Sequence, residues 1–117
     1  VGQFLDKGFE QAGIDGFQRT LHFYMPGGEI PQDDRFVKLC LEERERQFGI
    51  KSDPQPFDAS CEQCFLAKEG IQTVICGPGD IAQAHTVGEF TWEKQVRDAV
   101  SLYERIIDRV LYKTNYI

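Results

Sequence analysis

Apolar positions recur along this chain at two periods, and the two periods predict its elements. Leu5 and Phe9 stand four apart, which predicts a helix over Gln3–Ala12 that Gly13 and Gly16 end. Phe17 to Tyr24 alternates instead. Phe17, Arg19, Leu21 and Phe23 fall on one face and Gln18, Thr20, His22 and Tyr24 on the other, the pattern of a half-buried strand. The turn Met25–Pro31 holds two prolines and two glycines. Asp33 or Asp34 then caps a helix over Arg35–Phe48, with Phe36/Cys40 and Val37/Leu41 as i,i+4 pairs and Gly49 as its stop. Glu42 to Arg46 reads as its solvated charged face. A loop over Lys51–Pro56 leads to a short helix over Cys61–Glu69, ended by Gly70.

Ile71 to Cys76 is nearly all apolar, the signature of a strand covered on both faces. The clearest element follows Thr91, a candidate N-cap. Trp92, Val96, Ala99, Val100, Tyr103, Ile106, Ile107, Val110 and Leu111 recur at three- and four-residue spacing. Helices alternating with strands predict an α/β fold. The Pro/Gly-dense turn divides the chain into residues 1–25, a linker over 26–31, and residues 32–117.

Composition narrows the function. The 117 residues suit one domain able to bury a substantial core, and 41% hydrophobic with 27% charged content is ordinary for a folded protein. The net charge of −6 argues against nucleic acid as the main partner, since phosphate binding needs clustered Lys and Arg. No apolar run reaches the roughly 18 residues of a membrane span. No signal-peptide pattern opens the chain, so the expected compartment is the cytoplasm, with Cys40, Cys61, Cys64 and Cys76 reduced. The first residue is Val1 and the one methionine is Met25, as expected of a piece of a longer protein.

The candidate chemistry sits in CGPGDIAQAHTVGEF, Cys76 to Phe90. A buried strand ending in Gly-Pro-Gly delivers its next loop to the sheet edge where α/β proteins bind ligands. Gly77 and Gly79 let another group approach the backbone closely. His85 in that loop can serve as metal ligand, general base or structural hydrogen-bonder. Glu89 can orient its ring or cap the helix that follows. Cys61, Cys64, Cys76 and His85 could instead form one structural zinc site, although their spacing is irregular for it.

The whole run resembles one family. Gly70, Ile71, Thr73, Val74, Gly77, Pro78, Gly79, Ala84, His85, Glu89 and Phe90 match G-I-P-T-V-x-x-G-P-G-x-x-x-x-A-H-x-P-[DN]-E-[YF]. That pattern belongs to the zinc-dependent acetylornithine deacetylase, succinyl-diaminopimelate desuccinylase and aminoacylase family. Ser60 to Leu66 resembles its C-T-E-A-x-F-L segment, with Glu62 on the acidic position. The resemblance is good over about residues 57–113 and looser over 1–50. It implies the C-terminal part of a zinc-exopeptidase-like catalytic domain in residues 32–117, after the last helix and strand of an α+β lid (dimerisation) domain in residues 1–25. It makes His85 the last protein ligand of a two-metal site of zinc or cobalt. It puts Ser60, Cys61, Glu62, Gly77 and Gly79 beside the substrate, with Glu89 behind the metal ligand. The implied reaction is deacylation of an N-acyl amino acid, as in arginine biosynthesis, by a homodimeric parent. The family's other ligand motifs are missing from this chain, so the chain alone is expected to be inactive. Val87, Gly88, Gln72, Cys61 and Gln63 depart from the pattern, which bears on substrate choice. His22 matches no family motif and reads as a surface strand histidine. A rival reading is a small self-folding domain that binds a partner without catalysis.

Overall fold

The computed structural model describes residues 2–16, 18, 20 and 22–112. Its order is α1 (Gly2–Gln11), α2 (Arg35–Phe48), α3 (Gln63–Lys68), a 3₁₀ turn over Ile81–Gln83, and α4 (Glu93–Tyr112). The four expected helices are present, with α3 shorter than expected. No β-strand occurs among the described residues. The α/β expectation is therefore corrected: the described chain is helical, joined by long irregular segments.

The reason lies in what defines a strand. A parallel strand exists by its ladder to a neighbour, and apolarity supplies burial but no ladder. The Ile71 N–H goes back to the Leu66 carbonyl at 3.0 Å, closing α3 through Gly70, whose φ of +74° suits a left-handed helix end. The Cys76 carbonyl takes the Tyr103 hydroxyl at 2.8 Å. Ile71 and Ile75 remain exposed. Of the other expected strand, Phe17, Arg19 and Leu21 lie outside the described residues. Gln18, Thr20 and His22 to Tyr24 have no regular structure.

α2 begins where the sequence places its cap. Asp34 Oδ1 accepts the Phe36 N–H at 2.7 Å. Its second oxygen accepts Gln72 Nε2 at 2.5 Å, tying the Ile71–Cys76 segment to the start of α2. α2 and α4 are the one pair of helices that pack together among the described residues. Val37 and Leu39 of α2 are buried, as are Ala99 and Leu102 of α4, and Ile106 and Val110 continue that stripe half-buried.

An ion-pair network clamps the same contact. Glu43 is 3% exposed and accepts Arg46 at 2.7 Å, Arg109 at 3.0 Å and Arg105 at 3.1 Å. Arg109 also reaches Glu42. Gln47 Nε2 donates to the Asp98 carbonyl at 2.8 Å. Burial pushes the Glu43 carboxyl up. The hydrogen bonds from Arg105 and Arg109 and the charges of Arg46 and Arg109 outweigh it and hold the group below its ordinary value. Glu43 therefore departs from the expected solvated face.

The substantial core expected from chain length is not found. Besides the two helical stripes, only Cys64 joins the buried apolar set among the described residues. The radius of gyration is 19.5 Å, against about 13 Å for a compact domain of this length. A second stripe on α4, Val96, Val100, Tyr103, Ile107 and Leu111, stays exposed along with Trp92.

Candidate functional site

The loop from Cys76 to Phe90 is built almost wholly from its own short-range hydrogen bonds. Asp80 Oδ1 accepts the Ala82 N–H at 2.9 Å, and the Asp80 carbonyl accepts the Gln83 N–H at 2.9 Å. These start the 3₁₀ turn, which the Ala84 N–H closes onto the Ile81 carbonyl at 3.1 Å. The Thr86 hydroxyl donates to the Gln83 carbonyl at 2.8 Å. The Glu89 N–H donates to the Thr86 carbonyl at 3.2 Å. Gly79 turns the chain into this structure at φ +93°. A Cβ there would lie 3.3 Å from Thr91 Oγ1, so glycine is needed on two counts.

His85 stands at the apex with φ +62°, the one non-glycine residue in the left-handed region among those described. That conformation costs an L-residue about 1–2 kcal/mol. Its N–H donates to Glu89 Oε2 at 3.0 Å. A bond to a charged acceptor offsets about 1 kcal/mol at an exposed position, so the two terms are of similar size. The His85 ring is exposed, and no described residue hydrogen-bonds it.

Neither role expected for Glu89 is the one the geometry gives. Among the described residues no hydrogen bond joins its carboxylate to the ring, and it does not accept an N–H at the start of α4. Gln95 Oε1 does the capping, accepting the Trp92 N–H at 3.4 Å and the Thr91 hydroxyl at 3.1 Å. α4 starts at Glu93, so Thr91 contributes to the cap only through Gln95.

The other sequence-chosen residues lie apart from this loop. Ser60 is exposed, Cys61 half-buried, and Glu62 occupies the N-cap position of α3 without a capping hydrogen bond. Among the described residues no hydrogen bond or ion pair joins Ser60, Cys61 or Glu62 to residues 76–90. Gly77 lies beside Tyr103, whose hydroxyl would be 3.8 Å from a Cβ there. His22 is exposed. All four cysteines are free, and Cys64 Sγ donates to the Cys61 carbonyl at 3.2 Å. Burial, with nearby Cys76 as the smaller cause, pushes the Cys40 thiol up to about 11.

A catalytic zinc takes about three protein ligands. No group of three or more His, Cys, Asp or Glu is placed to hold a metal ion among the described residues. These residues therefore do not make a metal centre by themselves, whether from Cys61, Cys64, Cys76 and His85 or from any other set. His85 can supply one ligand, since its imidazole is exposed and no described residue hydrogen-bonds either ring nitrogen. A cleft of about 340 Å³ is lined by Glu43, Arg46, Arg105, Asp108 and Arg109. It does not include His85, and its three arginines are paired to Glu43.

Two features lie outside the expectations drawn from the sequence. Position 43 continues the Phe36, Leu39, Cys40 register at i+7, i+4 and i+3, so its burial was legible there despite the surrounding charges. The Tyr103–Cys76 bond carries no local signal, since it spans 27 residues.

No helix among the described residues is long and apolar enough to cross a membrane. A search of curated proteins and a search of solved structures returned no match. The model of peptidase family M20/M25/M40 matches residues 16–109 and so takes in α2, α3, the His85 loop and most of α4. With the greater part of its length matched, the chain belongs to peptidase family M20/M25/M40, a family of hydrolases.

Proposed function

We propose that this chain serves a metal-dependent amide hydrolase that deacylates N-acyl amino acids, acetylornithine deacetylase-like, and that it contributes His85 to a two-zinc centre. The other ligands come from outside this chain, in a homodimeric parent. Residues 1–25 belong to a lid, residues 26–31 link, and residues 32–117 carry the catalytic portion.

One observation carries this reading. Inside the family match, a self-bonded loop holds an exposed imidazole at its apex with neither ring nitrogen hydrogen-bonded by any described residue. What supports metal ligation is accessibility: no described residue occupies either ring nitrogen, so a neutral imidazole nitrogen is open to a metal. The extended shape and the exposed α4 stripe favour this reading over a self-sufficient binding domain, because both are surfaces that ask for cover.

The test uses paramagnetic cobalt(II) on the chain with its cysteines alkylated, followed by NMR. Line broadening centred on the His85 ring and residues 84–89, absent in His85→Ala, is expected. Broadening centred on His22 or on carboxylates elsewhere would overturn it. The same chain with zinc and N-acetylornithine is expected to release no acetate; turnover would show that it needs no ligands from outside.

A further inference from the structure

We infer that Glu89 is a positioning residue for His85, acting through the main chain: its carboxylate holds the His85 N–H and so fixes the left-handed backbone that aims the imidazole outward. The inference rests on the reading of His85 as the working group of this loop.

Three observations converge on it. His85 has a backbone conformation that L-residues avoid, and histidine tolerates it better than most but does not choose it. Something must therefore hold φ positive at this position. The Glu89 carboxylate is the group that meets the His85 N–H, at 3.0 Å. Finally, the neighbouring bonds place that carboxylate: the Glu89 N–H on the Thr86 carbonyl closes a turn over residues 86–89 and brings position 89 back under position 85.

The consequence is chemical. A carboxylate bound to the ring would occupy one imidazole nitrogen. Bound to the N–H, it sets the direction of the Cα–Cβ bond and leaves both nitrogens open to an incoming group. At a strained position the main-chain angle decides where the side chain points, so control at the N–H is control of the ring. The spacing follows: four residues, with Gly88 supplying a residue without a side chain just before the acid.

A double-mutant cycle read by amide hydrogen exchange tests it on the whole chain. Glu89→Ala is expected to speed exchange of the amide at position 89 by about tenfold, a loss of roughly 1.4 kcal/mol in loop stability. Glu89→Gln, which keeps an acceptor oxygen, is expected to restore most of that protection. In a His85→Gly background, where positive φ needs no support, Glu89→Ala is expected to change exchange at position 89 by less than about threefold. Equal loss in both backgrounds overturns the inference, because Glu89 would then act on something other than the angle at position 85. Unchanged protection in Glu89→Ala overturns it as well. Helicity of α2 and α4 by circular dichroism shows whether each variant keeps the scaffold. None of these readouts involves metal. Failure of cobalt to broaden His85 would remove the metal reading and leave this one standing.

Discussion

Replacing Glu43 by glutamine tests what holds α2 on α4. The substitution keeps the shape and removes the charge at the centre of three arginines. Removing one partner of a fully buried pair costs about 3–5 kcal/mol, because the remaining charge is stranded. Here the arginines are less confined: the side chains of Arg46, Arg105 and Arg109 are 56%, 47% and 26% exposed. Water can take over much of what the carboxylate gave, and Arg109 keeps Glu42. The expected loss at neutral pH is therefore about 1–2 kcal/mol, from charge-assisted bonds reduced to neutral ones. The pH dependence has a definite sign. The folded-state value of this carboxyl is held below its ordinary 4.5. Its stabilisation is complete above that ordinary value and drains away as pH falls through the lower folded one. Urea unfolding followed at 222 nm should show the variant less stable at pH 7, with the gap closing as pH is lowered from about 4.5 toward 2. Equal midpoints at pH 7 would refute the clamp. A gap that stays constant to low pH would refute its ionic character.

Two further outcomes follow from the local geometry. Gly79→Ala sets a Cβ 3.3 Å from Thr91 Oγ1 at φ +93°, and should destabilise the loop by at least about 1 kcal/mol, seen as faster amide exchange over residues 82–89 with the α2–α4 unfolding midpoint unchanged. Cys40, with its thiol raised to about 11, should alkylate at pH 8 about a hundredfold more slowly than a cysteine in a model peptide and speed up about tenfold per pH unit toward 11; peptide mass spectrometry resolves its rate, and parity with the model peptide would contradict its burial.

The helices were legible because their signals are local. Asp34 caps α2 and Gly70 closes α3 through neighbours a few residues away, so sequence alone specifies them. Strands were not, since a strand is a relation between segments. The apolar run Ile71–Cys76 states a preference for burial and says nothing of a partner. The same limit applies to the site. The loop around His85 is legible as a motif because its bonds span two to four residues, but the sequence offers Glu89 to the ring or to the helix, whereas its carboxylate accepts the His85 N–H. A residue type four positions away fits all three roles equally, and only the angle at position 85 separates them.

That locality explains how an open chain can still present a precise group. Packing cannot fix His85 here, because residues 76–90 are exposed apart from the half-buried Gln83 and Ala84. The loop instead closes bonds within residues 80–89, where little chain entropy is lost per bond. Its attachment to the helical pair is equally spare: Tyr103 holds the Cys76 carbonyl at one end, and Thr91 with Gln95 joins the other end to the start of α4. α4 therefore sets where both ends of the loop stand, and the Glu43 network sets where α4 stands against α2. The order of dependence runs from a buried carboxylate, through one helix, to two anchor points and an imidazole. On that ordering, loss of Glu43 should loosen the placement of the loop before it disturbs the internal shape that Glu89 maintains.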